Sequence, residues 1–152
     1  MAKTTKPPFK VKALGEIAIR CADLKEMVDF YCNTIGLEIM AGDANSGIVF
    51  FKIGEGYGGH TTVVALFVSD APQRAVHATG AAVTAGAGSS LHHLALTVSF
   101  EDQAKAMAWY DELGQPYKIE NFGWIGWRGV FTTDPEGNTV ELVAYHDSLR
   151  DT

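Results

Sequence analysis

Apolar and polar residues alternate near the start of the chain, directly after a lysine-bearing arm at residues 1–11. Alternation with a period of two places apolar side chains on one face of a strand and polar side chains on the other. Residues 12–20 are therefore predicted to form a strand. Its apolar face carries Ile17 and Ile19, followed by Cys21. Its polar face carries Glu16, Ala18 and Arg20.

The spacing of apolar residues then changes to three or four, which predicts a helix in ADLKEMVDFYCNTIG. Asp23 is the expected N-cap, with Glu26 three residues later as in a capping box, and Gly36 is the expected end. Short strands are predicted to follow, separated by the glycine-rich turns GDANSG and GEGYGG, at 37–41, 47–53 and 61–68. Residues 12–68 then form a first βαβββ module.

The second half of the chain repeats this order after a connector at residues 69–90, which is rich in Ala, Gly and Ser. LHHLALTV predicts a strand, and residues 101–113 predict a helix that ends at Gly114. Further strands are predicted near 116–120, 123–132 and 138–145. A second βαβββ module thus occupies residues 91–146, and a C-terminal tail follows at 147–152.

Matching residues of the two halves lie at a nearly constant offset. Glu16 and His93 are 77 residues apart, and the helix-ending Gly36 and Gly114 are 78 apart. A shared order with so little drift indicates an internal duplication. The predicted fold class is α+β, built from two related βαβββ modules.

The polar faces of the two first strands suggest a cavity between the halves. With the strands in register, Glu16, Ala18 and Arg20 correspond to His93, Ala95 and Thr97. Polar residues inside a sheet are costly unless they are hydrogen-bonded or line a cavity. Strand parity therefore places His93 in the cavity, whereas His92 points to the other face as a strand-end or packing residue.

A glutamate in the last predicted strand, TVELVAY, adds a carboxylate to this cavity. Glu16, His93 and Glu141 together offer the imidazole and carboxylate groups that commonly bind a divalent metal ion. Val64 occupies the position of Glu141 in the first half. The same residues also allow a purely structural interpretation, in which Glu16 pairs with an arginine and His93 is a hydrogen-bonded core residue.

Composition narrows the classes of function. The chain has 152 residues and a net charge of −6, which disfavours a nucleic-acid partner. No apolar run approaches the roughly 20 residues of a membrane span, and the N-terminus lacks the apolar segment of a secretory signal. Cys21 and Cys32 lack the spacing of a zinc motif. We expect two reduced thiols in a cytoplasmic protein.

Three stretches of the chain resemble the vicinal oxygen chelate superfamily, also called the glyoxalase/bleomycin resistance/dioxygenase superfamily. These stretches are LGEIAIRCADLKEMVDFYCNTIGLEIM, LHHLALTV and GWRGVFTTDPEGNTVELVAY. The resemblance covers residues 12–146. It implies two βαβββ modules that form an incomplete barrel around a cavity and a metal ion.

The resemblance also implies how the ligand positions are filled. His93 and Glu141 match the first-strand histidine and last-strand glutamate of the second module. Glu16 occupies a position that is usually histidine, and Val64 one that glyoxalase I fills with glutamate. A divalent ion (Mn, Mg, Fe, Zn or Ni) is the expected cofactor, and the additional carboxylate of Glu16 favours harder ions such as Mn and Mg.

The implied function is a metal-dependent enzyme whose small organic substrate chelates the ion through adjacent oxygens. Glu141 is expected to be catalytic as well as a ligand, in lyase, isomerase or transferase chemistry rather than oxygen activation. The alternative is a metal-free small-molecule binding protein of the bleomycin-resistance type. The resemblance implies a homodimer, with neither nucleic acid nor membrane as a partner.

Four residues are expected to contact the substrate. Trp124 and Trp127 suit a flat or aromatic ligand, and Arg128 suits a carboxylate or phosphonate. Tyr31 is the fourth candidate. Alternatively, Trp124 and Trp127 are core residues, and Arg128 pairs structurally with Asp134 or Glu141.

Overall fold

The computed structural model describes residues 12–56, 60–70, 91 and 93–152. The chain divides into two compact units. The first unit comprises Met1–Val28 and Gly36–Ala71, and the second comprises Asp29–Ile35 and Pro72–Thr152. His92, the predicted arm at 1–11 and nearly all of the predicted connector at 69–90 lie outside the described residues.

The first unit contains a four-stranded mixed sheet. Its strands are β1 (Glu16–Cys21), β2 (Glu38–Gly42), β3 (Ile48–Glu55) and β4 (Thr61–Val68). They are ordered β1-β4-β3-β2, with β1 parallel to β4 and the other pairs antiparallel. Burial alternates along β1 as predicted, because Ile19 and Cys21 are buried while Glu16, Ala18 and Arg20 are exposed.

Helix α1 (Leu24–Asp29) begins as predicted but is shorter than predicted. The backbone N–H of Glu26 donates to Oδ1 of Asp23 at 3.0 Å, which confirms the N-cap. The predicted single α-helix is wrong beyond Asp29, where a π-helix takes over at Phe30–Thr34. The wider π turn is closed by a hydrogen bond from Ile35 N–H to the carbonyl of Phe30 at 3.1 Å.

The second unit repeats the topology of the first. It contains β5 (Leu94–Thr97), α2 (Phe100–Leu113), β6 (Lys118–Phe122), β7 (Trp127–Thr133) and β8 (Thr139–Tyr145), and a short 3-10 helix follows at Asp147–Leu149. The strands are ordered β5-β8-β7-β6, with β5 parallel to β8. The repeated βαβββ order confirms the predicted fold class. No described helix is long and apolar enough to cross a membrane.

The strand predicted at 123–132 is wrong at its start. Residues 123–126 form a turn, and β7 begins only at Trp127. The N–H groups of Ile125 and Gly126 both donate to the carbonyl of Phe122, at 3.1 and 3.0 Å. Gly126 has a φ of 76°, a conformation that favours glycine. Trp124 is therefore a turn residue, and 73% of its surface is exposed.

The second sheet has two faces of different character. One, here called the helix face, packs with Tyr110 of α2 through Val130 and Leu142. The other, here called the site face, is defined by register: Ala95 lies beside Glu141, Glu141 beside Phe131, and Gly129 beside Glu120. Because opposed residues share a face and residues two apart also share it, these side chains all point to the same side.

Candidate functional site

His93 and Glu141 meet on the site face. His93 immediately precedes β5, and its Nε2 lies 3.3 Å from Oε2 of Glu141. The parallel pairing of β5 with β8 brings the two residues together. The Glu141 side chain is buried, with 7% exposed, whereas 35% of the His93 side chain is exposed. A buried carboxylate thus meets an imidazole that solvent can reach.

The pKa of Glu141 is raised above its ordinary value. Burial is the largest cause, because it disfavours the charged carboxylate. The charge of His93 and its hydrogen bond oppose the rise, while the nearby charge of Glu120 adds to it. Two carboxylates and one imidazole therefore interact electrostatically on the site face.

Gly129 provides the space that the Glu141 carboxylate occupies. A Cβ at position 129 would lie 2.5 Å from Oε1 of Glu141 and 2.5 Å from Cε2 of Phe131, closer than such atoms can approach. Oε1 itself accepts no hydrogen bond from the described residues. Glycine inside a strand often marks such a close approach, and this signal could have identified Gly129 from the sequence.

Two phenylalanines share the site face with His93 and Glu141. The Phe131 ring meets the His93 ring edge to face, with centroids 6.3 Å apart, and the Phe122 ring meets Phe131 in the same way at 6.5 Å. Trp127 shares the site face by parity and is partly exposed, whereas Trp124 lies on the preceding turn. Among the described aromatic residues of the site face, Phe131 contacts His93 directly. The sequence pattern did not suggest Phe131 as a residue that contacts the ligand.

Arg128 lies on the helix face, opposite in parity to Glu141. Its Nε donates to Oε1 of Gln103 at 2.8 Å, and its guanidinium lies 4.4 Å from the centre of the Phe100 ring. Gln103 is fully buried, and its Nε2 donates to the carbonyls of Arg128 and Leu142, at 2.6 and 2.9 Å. The structure thus places Arg128 in a network that joins α2 to β7 and β8.

Tyr31 is fully buried in the second unit. Its hydroxyl donates to Oδ2 of Asp134 at 2.9 Å. Asp134 lies in the DPEGN turn and accepts from the N–H groups of Glu136 and Asn138, each at 2.9 Å. This placement gives Tyr31 a contact with the turn between β7 and β8.

Glu16 lies at the exposed start of β1 in the first unit, where it makes no hydrogen bond or ion pair with the described residues of that unit.

The predicted alignment of Val64 with Glu141 is wrong by one residue. Ala18 pairs with Ala65 in the first sheet as Ala95 pairs with Glu141 in the second. The first module has one more residue between these strands, so Ala65 is the counterpart of Glu141. Neither Val64 nor Ala65 has a metal-binding side chain.

The donor atoms of His93 and Glu141 fit a shared divalent ion. Protein N and O ligands lie about 2.0–2.2 Å from zinc-like ions. At bond angles of roughly 90–109°, two such donors are about 3.0–3.4 Å apart, and the observed separation is 3.3 Å. Across the described ranges, no three His, Cys, Asp or Glu residues are grouped so that they could hold a metal ion.

Comparison with known proteins identifies the superfamily and the fold of this chain. The profile of the Glyoxalase/Bleomycin resistance protein/Dioxygenase superfamily matches residues 13–142. A search of curated proteins found no match. Many solved structures share the fold. Lactoylglutathione lyase from Agrobacterium tumefaciens is 24% identical, with a TM-score of 0.64, over 91% of this chain and 96% of that one.

Two further structures are similar over nearly their whole length. A glyoxalase/dioxygenase from Nostoc punctiforme is 17% identical, with a TM-score of 0.65, over 97% of this chain and 100% of that one. The fosfomycin resistance protein FosX from Listeria monocytogenes is 17% identical, with a TM-score of 0.60, over 93% and 100%. At these identities the likeness is one of fold.

Proposed function

Because this chain belongs to the Glyoxalase/Bleomycin resistance protein/Dioxygenase superfamily, we propose that it is a metal-dependent enzyme acting on a small organic substrate through adjacent oxygens. The observation that carries the proposal is the 3.3 Å contact between His93 Nε2 and Glu141 Oε2. Two good donors for one ion meet there, on a face that also carries aromatic side chains.

His93 and Glu141 are the residues of the second unit that would hold the ion. A bound divalent ion supplies Lewis-acid stabilisation of negative charge that develops on a chelated substrate oxygen. Burial of Glu141 fixes its carboxylate, because the side chain is packed over Gly129. The Phe131 ring beside His93 keeps water from that side of the site and offers a flat apolar surface to the substrate.

Glu141 has a second role in this proposal, as the group that moves a proton. Its Oε1 accepts no hydrogen bond from the described residues, so this atom is available to a proton from the substrate. A carboxylate that holds an ion through one oxygen keeps the other oxygen free to accept a proton from a substrate beside it. A proton removed next to a chelated oxygen leads to lyase or isomerase chemistry.

Donor chemistry favours these reactions over oxygen activation. Non-haem iron oxygenases typically use two histidines and one carboxylate. Of the described residues beside Glu141, His93 supplies one imidazole, and the sequence places Glu16 at the usual position of the other histidine. One structural neighbour, a lactoylglutathione lyase, is named for lyase chemistry.

A metal-free binding protein is the competing function. The observation that favours it is the aromatic lining of the site face, where Phe122 and Phe131 meet edge to face beside His93. Such a surface would hold a flat apolar molecule without any ion. In this alternative the His93–Glu141 contact would be structural.

Metal binding separates the two functions. Purified protein is analysed for bound metal, and its thermal unfolding is followed with and without Mn²⁺, Mg²⁺, Fe²⁺, Zn²⁺ and Ni²⁺. We expect stabilisation of the wild type by at least one ion, and its loss in His93→Ala and Glu141→Gln. Glu112→Gln, which removes an exposed carboxylate from α2, should behave as wild type. A wild type that binds no divalent ion would contradict the proposal.

We further propose a homodimer in the cytoplasm, with a small molecule as the only other partner. The basis is the superfamily, in which single-chain members of this size often pair. Light scattering coupled to size-exclusion chromatography measures the mass directly, and a monomeric mass at micromolar concentration would contradict the dimer.

A further inference from the structure

Three aromatic side chains form one row across the site face of the second sheet, and Phe122, Trp127 and Tyr145 are here called the aromatic row. Phe122 pairs with Trp127 in the register of β6 and β7, and Trp127 pairs with Tyr145 in the register of β7 and β8. Tyr145 follows Glu141 by an even number of residues in β8, so the row faces the same side as that carboxylate. The edge-to-face contact between the Phe122 and Phe131 rings agrees with this placement.

The aromatic row is open to solvent at Trp127 and Tyr145, which are 43% and 50% exposed. Trp124, on the turn that leads into Trp127, is 73% exposed. Single exposed hydrophobic residues are common, but contiguous apolar patches usually mark binding sites. A large aromatic side chain can bury about 150–250 Å², so these three expose roughly 250–400 Å² together. A stable protein partner covers about 800 Å², so the patch suits a small molecule better than another chain.

The Tyr145 ring is held in place by its own neighbours. Its hydroxyl donates to Oδ1 of Asp147, the first residue of the 3-10 helix. A Cβ at Gly126 would lie 3.0 Å from Cε2 of Tyr145, so the missing side chain leaves room for the ring. The N–H of His146 donates to the carbonyl of Gly126 at 3.0 Å, which joins the end of β8 to the turn before Trp127. A surface that is already ordered loses little entropy when a ligand binds.

The Phe131 ring connects the aromatic row to the contact between His93 and Glu141. Its Cε2 lies 2.5 Å from the point where a Gly129 Cβ would be, and Oε1 of Glu141 lies 2.5 Å from the same point. Phe131 and Glu141 therefore both lean along the sheet towards the aromatic row, which lies two residues further along β7. Two residues of a strand span about 6.6 Å, so the Glu141 carboxylate is about 7 Å from the row.

We propose that the aromatic row is the subsite for an aromatic ring of the substrate, and that this ring lies about 7 Å from the two chelating oxygens. The substrate class is then an aryl compound whose adjacent oxygens are joined to the ring by a linker of about two or three carbons, at about 1.5 Å per bond. Stacked and edge-to-face ring contacts add favourable energy beyond burial of area, so Trp127 and Tyr145 select a ring over an alkyl chain. This inference rests on the proposed function for where the chelating oxygens lie.

Binding of three 2-oxo acids tests the subsite without any assay of activity. Each acid carries adjacent keto and carboxylate oxygens. 2-Oxobutanoate has no ring, phenylpyruvate carries its ring through one linker carbon, and 2-oxo-4-phenylbutanoate carries it through two. Isothermal titration of the wild type, with and without Mn²⁺, gives the dissociation constants. We expect 2-oxo-4-phenylbutanoate to bind at least about tenfold more tightly than 2-oxobutanoate, with phenylpyruvate between them.

Substitutions in the aromatic row show where the ring binds. Trp127→Leu and Tyr145→Leu keep an apolar side chain but remove the ring, so each should reduce the preference for 2-oxo-4-phenylbutanoate about threefold or more. Tyr145→Phe keeps the ring and should retain the preference. Trp109→Leu is the matched control, because Trp109 is 42% exposed but lies on α2. Thermal unfolding of each variant confirms that it is folded.

Equal affinity for the acids with and without a ring, no binding of the ring-bearing acids, or an unchanged preference in both leucine variants would overturn the inference. If the wild type still binds Mn²⁺ in those cases, the proposed function stands. A ring preference without any binding of a divalent ion would support the subsite and contradict the metal-dependent function. Light scattering of Trp127→Leu examines the other possible occupant. Loss of a wild-type dimer in this variant would assign the row to a contact between two copies and overturn the inference.

Discussion

The Tyr31 hydroxyl donates a hydrogen bond of 2.9 Å to Oδ2 of Asp134, although the two residues are 103 positions apart. Asp134 is buried at the start of the DPEGN turn and also accepts from Nδ2 of Asn138 at 2.8 Å. The π-helical turn that carries Tyr31 is thereby joined to the turn between β7 and β8. This hydrogen bond gives Tyr31 a role in holding two elements of the second unit together, and its expected contact with the substrate stays a prediction.

Tyr31→Phe should lower the free energy of unfolding by about 1.5–3 kcal/mol, because it removes a buried hydrogen bond to a carboxylate. Urea denaturation at neutral pH measures the change. Tyr117→Phe is the control, since its hydroxyl makes a longer, 3.3 Å contact with Asp111 near the surface, and we expect less than about 1 kcal/mol there. Unchanged stability together with weakened ligand binding would contradict the structural role and support a contact between Tyr31 and the substrate.

Gln103→Met should destabilise the protein by about 2–4 kcal/mol, because the fully buried Gln103 side chain would lose three hydrogen bonds, one buried and two partly buried. The partners are the carbonyls of Arg128 and Leu142 and the Nε of Arg128. Lys105→Met on the same helix changes an exposed side chain and should stay within about 0.5 kcal/mol. Equal denaturation midpoints for the two variants would show that the network contributes little.

Tyr110→Phe should alter how stability depends on alkaline pH. Burial raises the pKa of Tyr110 to about 12 from its ordinary 10.0, and its hydroxyl has no hydrogen-bond partner among the described residues. The unfolded chain therefore loses this proton first, so the stabilisation is complete below pH 10 and is lost as pH rises towards 12. A shift of this size corresponds to about 2–3 kcal/mol.

The difference in free energy of unfolding between wild type and Tyr110→Phe isolates the titration of Tyr110, since all other tyrosines and lysines titrate in both proteins. Denaturation curves at pH 8 and pH 11 provide the comparison. At pH 8 the variant should be as stable as the wild type or slightly more so, because an unpaired buried hydroxyl is removed. Parallel loss of stability in both proteins above pH 10 would rule out a raised pKa for Tyr110.

Gly129→Ala should weaken divalent-ion binding at least about tenfold, because the new methyl group displaces the Glu141 carboxylate and such misplacement is costly at metal sites. Titration with Mn²⁺ measures the affinity. Gly54→Ala is the matched control, since it lies in β3 with no atom within 4 Å of the added Cβ. If both alanine variants bind Mn²⁺ equally well, Glu141 does not depend on the gap at Gly129.

Much of the fold could be predicted from the sequence because its signals are local. The alternation in β1, the capping of α1 by Asp23 and the end of α2 at Gly114, which adopts a left-handed φ of 68°, depend on residues within a few positions of each other. Because the two halves are duplicates, the helices and strands predicted for one half could be compared with those predicted for the other. Parity placed His93 on the polar face of its strand, and the structure brings it against Glu141.

The remaining features depend on strand register and long-range contacts, which no local pattern encodes. A shift of one residue moves a side chain to the opposite face, so only the pairing of strands decided that Ala65, not Val64, corresponds to Glu141. The same pairing placed Arg128 towards α2 and Trp127 between Phe122 and Tyr145. Sequence periodicity thus determined which residues form strands and helices, whereas hydrogen bonding between distant strands decided which side chains meet.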